Sequence, residues 1–213
     1  MKRKHLLIFL GVFLVSLTIQ CKGPKAPEPG ELTDGVVVFV KGEVSRNGQP
    51  LAVASVVAQG DQIETGDDSA VEIVFQKGII TKLGEHTMTT FDLQSSRLQL
   101  SQGWLAAVKN KNDQQLEIVT PTVVANVRGT STFIKVENPA STYTCTCNGT
   151  VHYHGIGAAE ESRTAAQHSG MRYMYKDGVI QTKKAGLEYH DNALIEELAK
   201  KINHPLDWTK PAD

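Results

Sequence analysis

From Gly35 onward the chain is built of short β-branched runs separated by glycine-bearing turns, and this constrains the fold more than any other feature. Gly35–Val40 reads GVVVFV, Val71–Phe75 reads VEIVF and Ile79–Leu83 reads IITKL. Leu98, Leu100 and Leu105 continue the pattern, followed by Leu116–Val119, Val123-Val124 and Phe133–Val136. Val, Ile, Thr and Phe fit a pleated surface, so each run is predicted as a strand. Gly60-Asp61, Gly66-Asp67-Asp68 and Lys77-Gly78 mark turns, and Asn47-Gly48 asks for a two-residue type I′ hairpin turn. Runs of about five residues at intervals of about 8–12, with no long helical period, predict an all-β fold. The expected form is a sandwich, barrel or solenoid-like module of short antiparallel strands.

The two ends read differently. Residues 1–20 have the pattern of a signal peptide: Lys2, Arg3 and Lys4, then an apolar run from Leu6 to Ile19 broken only by Gly11, Ser16 and Thr18. That run is shorter than the roughly 20 apolar residues of a membrane span. Cys21 follows at once, resembling the cleavage site of a bacterial lipoprotein, in which Cys21 would become the first residue and carry the lipid. Gln20, where a small residue is usual, and Leu17, four positions back, resemble the looser sites of spirochaetal lipoproteins. The alternative is a plain signal peptide cut elsewhere. Residues 21–34 form a Pro/Gly-rich tether that can build neither helix nor ladder. A lipid at Cys21 implies a membrane partner and a cell-envelope location, periplasmic or surface-exposed, with the outer membrane favoured over the inner. The net charge of −1 gives no basis for nucleic-acid binding.

The stretch Thr120–Val136, TPTVVANVRGTSTFIKV, places Arg128-Gly129-Thr130 between two strands. Arg128 either pairs with a surface carboxylate or caps strand-end carbonyls with its planar fork. Gly129 suits a bend or a close backbone approach. This stretch resembles the signature of FecR-type domains. Gly60–Gly66, Ser69–Ile73, Leu98–Leu100 and Gly103–Leu105 fit the same family in order, so the resemblance covers roughly Gly35 to Val151. It implies an all-β extracytoplasmic module, here residues 35–155, of the kind found in signal-transducing regulators and in many exported proteins. The regulators also carry a cytoplasmic anti-sigma region and a membrane span, which this chain is not expected to have.

One constellation has chemical content: Tyr143–His154, YTCTCNGTVHYH. A I′ turn at Asn148-Gly149 would pair Cys147 with Thr150, Cys145 with His152 and Tyr143 with His154. Alternation along the strands would then put Cys145, Cys147, His152 and His154 on one face. Two thiolates and an imidazole suit zinc or copper(I), with His154 or His168 as a fourth ligand. Two other readings stand beside this one. Cys145 and Cys147 could form a strained, redox-active disulfide, or act as small buried hydrophobes. The acidic residues Asp61, Glu64, Asp67 and Asp68 lack the spacing of a calcium loop, His86 reads as a turn histidine and Trp104 as a core or rim aromatic. No catalytic triad motif or phosphate loop appears, so no enzymatic activity is expected.

Residues 156–213 form a C-terminal extension. Gly155–Gly170 is small and polar, and a strand over Met171–Tyr175, a turn at Lys176-Asp177-Gly178 and a strand at Val179-Ile180 follow. Asp191 is a good N-cap for a helix over Ala193–Ile202, with Leu194, Ile195, Leu198 and Ile202 on one face. That face is expected to cover the sheet or to dock a partner. His190 is a ligand candidate without supporting spacing. The expected function is an anchored binding or scaffold module that contacts another envelope protein or a glycan. The alternative is a metal-binding or redox-sensing lipoprotein.

Overall fold

The structure is a computed structural model that describes Leu32 and residues 34–76, 78–112 and 114–212. The leader, Cys21 and most of the tether lie outside the described residues. In chain order the strands are β1 (Gly35–Lys41), β2 (Val44–Arg46), β3 (Gln49–Pro50), β4 (Val56–Val57), β5 (Gln62–Thr65) and β6 (Ala70–Phe75). Then come β7 (Ile79–Leu83), β8 (Met88–Asp92), β9 (Arg97–Lys109), β10 (Leu116–Val119), β11 (Val123–Val127) and β12 (Ser131–Asn138). The chain ends with β13 (Ser141–Gly155), β14 (Glu160–Ala165), β15 (Ser169–Lys176), β16 (Val179–Ala185) and a single described helix, α1 (Asn192–Lys201). The all-β expectation holds.

The strands form two sheets packed face to face. The first runs β16-β15-β13-β12-β9-β7-β6-β1-β4. The second runs β3-β2-β5-β8-β9-β10-β11-β13-β14. Pairing is antiparallel except between β9 and β10. The two long strands, β9 and β13, belong to both sheets, and each crosses at a glycine. In β9 the pairing passes from β8 at Gln102 to β12 at Gly103, where φ is +78°. In β13 it passes from β12 at Asn148 to β14 at Gly149, where φ is +103°. A strand that changes sheets must bend sharply, and glycine tolerates the required backbone.

The side-chain alternation of the central strands builds two cores. Ile134 of β12, Leu105 and Ala107 of β9 and Ile79 of β7 face inward against Leu98, Ile118, Val127 and Val151 of the second sheet. Their neighbours Phe133, Ala106, Val108 and Ile80 face outward, where α1 covers them with Ile195, Leu198 and Ala199. Burial on both faces explains why these strands read as nearly continuous apolar runs. Each fully buried aliphatic or aromatic side chain contributes about 1.5–3 kcal/mol. The helix is also tied electrostatically: Lys201 reaches the fully buried Glu72 of β6, whose other oxygen lies 3.0 Å from Lys82 Nζ.

Several local expectations are met. Asn47 and Gly48 both have positive φ, 52° and 75°, and join β2 to β3 as the I′ turn requires. Asp191 caps α1, accepting from the Leu194 N–H at 2.9 Å. The second Asn-Gly pair behaves differently. Asn148-Gly149 makes no hairpin, because β13 continues through it as one strand, and the pairs Cys145–His152 and Tyr143–His154 do not form. Only Gly149 has positive φ, whereas a I′ turn needs it at both residues. The small, polar stretch between Gly155 and Gly170, for which no strand is expected from sequence, contains β14.

Candidate functional site

The outward face of β13 carries both cysteines. Ser131 pairs with Asn148 but Thr132 pairs with Thr146, so Cys147 is the extra residue of a bulge. Cys145 and Cys147 are fully buried beneath the C-terminal segment, and both are free thiols. The strained-disulfide reading therefore does not describe this structure. His168 sits between β14 and β15, with φ at +43°, and its N–H donates to the Cys147 carbonyl at 2.9 Å. His190 lies just ahead of the α1 cap. Its ring stacks on Phe133 at 4.3 Å, with 7° between planes.

The segment bearing His190 is held from several sides. The Tyr143 hydroxyl donates to the Gly186 carbonyl at 2.8 Å and accepts from the Glu188 N–H at 3.1 Å. Arg172 donates to Glu137 at 2.9 Å and to Glu188 at 3.1 Å. On the other side Trp208 stacks on His168 at 5.2 Å, and its indole N–H donates to Glu196 at 2.9 Å.

Four donor atoms thereby meet. Cys145 Sγ lies 3.5 Å from His168 Nδ1, and Cys147 Sγ lies 3.3 Å from His190 Nε2. All four lie within 4.8 Å of one another. The far nitrogen of each ring is also engaged. His190 Nδ1 is 2.8 Å from the Glu188 carbonyl, and His168 Nε2 is 2.7 Å from Asn192 Oδ1. The hydrogen bond from Cys147 holds the Cys145 thiol well below the ordinary range, against the opposing effect of burial, with further help from His168 and His190. Burial pushes Cys147 up. Burial works against protonation of His168, but its contacts with Cys145 and Asn192 outweigh this and raise it.

Of the residues singled out in the sequence, Cys145, Cys147 and His168 come together, and His168 is half-buried in the cluster. His152 and His154 do not join. They lie on the second-sheet half of β13, where His152 approaches Glu160 at 3.6 Å and His154 is exposed. Arg128 is exposed, Gly129 has φ +73° with Lys111 Cα 2.9 Å from where a Cβ would stand, and Thr130 is buried and donates to the Asn148 carbonyl. His190, a ligand candidate without supporting spacing, joins the cluster, whereas nothing local in the sequence sets Glu188 and Asn192 apart. The available signal was indirect: a helix expected to cover the sheet brings the residue before its cap onto the face that bears the thiols.

Asn148 has a separate role. Its side-chain N–H groups face the carbonyls of Ala166 at 2.7 Å, Lys210 at 2.9 Å and Asp207 at 3.1 Å, clamping the C-terminal tail to β13. Replacing it by Leu removes a buried donor and leaves these acceptors short of partners. Asn148→Leu is expected to lose about 1–3 kcal/mol of unfolding free energy in a urea titration, with earlier proteolysis of residues 207–212. An unchanged midpoint would count against the clamp.

The fold and cluster place the chain among all-β, double-sheet modules, and residues 61–152 match the model of the FecR family, described as "FecR protein". That match covers less than half of the chain and takes in Cys145 and Cys147 but not His168 or His190. Two crystal structures of a proposed anti-sigma factor from Parabacteroides distasonis are similar, each at 12% identity and a TM-score of 0.49. The similarity covers 58% of this chain and reaches 59% of the length of that one. No curated protein matches the chain. Among the described residues no helix is long and apolar enough to cross a membrane.

Proposed function

We propose that the chain is a cell-envelope lipoprotein, anchored through lipid at Cys21, whose FecR-type region serves as a binding and scaffold module for another envelope protein. The observation that carries this reading is the FecR match over residues 61–152, joined to a leader that ends at a cysteine. The surface supports it. Val36 of β1 and Val56 of the edge strand β4 are directly paired, and both are more than two-fifths exposed. Adjacent open apolar side chains beside an unpaired strand edge suit protein contact.

The test combines fractionation with cross-linking in intact cells. The wild-type chain is expected in the membrane fraction and to incorporate an alkyne-tagged fatty acid. Cys21→Ser should lose the label and move to the soluble fraction. A photo-cross-linking residue at Val56 should give a discrete heavier adduct, and the same residue at exposed Lys176 should not. Fatty-acid label retained in Cys21→Ser would sink the anchor, and no discrete adduct from Val56 would sink the scaffold role.

A further inference from the structure

We propose that Cys145, Cys147, His168 and His190 form a tetrahedral zinc site that fastens the C-terminal segment to the β module. The proposal is independent of the anchor and of the role given to the FecR-type region. It begins with convergence from three separate parts of the chain: one strand, the connection between β14 and β15, and the approach to α1. Two isolated thiol–imidazole hydrogen bonds need only pairwise contact. Here all four donor atoms fall within 4.8 Å of one another, as ligands around a single ion must.

The distances fit that ion. Zinc bonds of about 2.3 Å to sulfur and about 2.0–2.1 Å to nitrogen, at tetrahedral angles, separate a sulfur from a nitrogen by about 3.5 Å. The two contacts measured are 3.3 and 3.5 Å. The outer hydrogen bonds fit equally well. The Glu188 carbonyl can only accept, so His190 Nδ1 carries the proton and the Nε2 lone pair points at Cys147. Asn192 Oδ1 likewise takes the proton of His168 Nε2 and leaves Nδ1 free toward Cys145. Ligating histidines are oriented in this way by a second acceptor on the far nitrogen. Phe133 and Trp208 close the site with aromatic faces. Two thiolates with two imidazoles, four-coordinate and closed, is the donor set of structural zinc, whereas copper(I) favours sulfur more exclusively. On binding, each thiol or imidazolium that still holds a proton at its ligating atom releases it to solvent as the bond to zinc forms, and no electron transfer is involved.

The test uses the full chain, purified in detergent under reducing, oxygen-free conditions, loaded with zinc and desalted. One zinc per chain is expected. Cobalt(II) in its place should give the intense visible bands of a tetrahedral site and a thiolate-to-cobalt charge-transfer band. His190→Gln should weaken zinc binding by about 10-fold or more, and His152→Ala should leave it unchanged. Cys145→Ser/Cys147→Ser should abolish both the zinc and the charge-transfer band. If that double variant fails to fold, the wild-type cobalt spectrum decides alone, since it needs no substitution. A folded, reduced wild-type chain that retains no zinc, a weak octahedral cobalt spectrum, or zinc undiminished by the His190 change would each overturn the proposal.

Discussion

Phe133→Ala is expected to lower the unfolding free energy by about 3–5 kcal/mol, the largest effect of any single truncation considered for this protein. The ring is fully buried and lies at the centre of the outer core. It contacts His190 at 4.3 Å, Trp104 at 5.3 Å and Tyr143 at 6.3 Å between centroids. Its strand is hydrogen-bonded on both sides, to β13 and to β9, so the backbone cannot collapse into the space left behind. The cost is therefore the lost transfer free energy plus most of a cavity term. Phe133→Leu keeps much of the volume and should cost under about 1.5 kcal/mol. Urea titrations of the two variants measure this directly. A loss below about 1 kcal/mol for the alanine variant would mean that the C-terminal segment does not rest on this ring.

Gly103→Ala is expected to cost about 2–4 kcal/mol, from two sources. At φ +78° any L side chain is strained, by about 1–2 kcal/mol. A Cβ there would also stand 2.5 Å from Thr87 Cα and 2.6 Å from the His86 carbonyl oxygen. Both are backbone atoms and cannot rotate away, so β8 or the crossing strand must shift. Gly48→Ala is the internal control. Its φ is +75°, but nothing lies within 4 Å of the added carbon, so it should show the conformational cost alone, about 1 kcal/mol. The difference between the two variants isolates the close approach at the sheet crossing. Equal losses would contradict that packing.

The fold was legible where structure is local. The β-branched runs became strands because each is buried on at least one face, and Asp191 caps its helix because the capping bond spans only three residues. The two Asn-Gly pairs show where local reading ends. At Asn47-Gly48 the side-chain bonds of the asparagine, to Asp61 and from the Gln62 N–H, are compatible with the turn, and the dipeptide turns. At Asn148-Gly149 the asparagine amide is taken by carbonyls at Ala166, Asp207 and Lys210, the last 62 residues away, and Asn148 stays extended. The glycine then serves as a corner between sheets. The same limit applies to the cluster. The Cys-x-Cys alternation placed both thiols on one face, but the partner imidazoles come 21 and 43 residues beyond Cys147, delivered by sheet extension and helix docking. His152 and His154 are near in sequence only, because the bend at Gly149 carries them to the other sheet.

X-ray absorption at the zinc edge of the zinc-loaded full chain tests the meeting of these four side chains most directly. Two sulfur neighbours at about 2.3 Å and two imidazole nitrogens at about 2.0–2.1 Å are expected. A shell of nitrogen and oxygen alone, or a single sulfur, would contradict it.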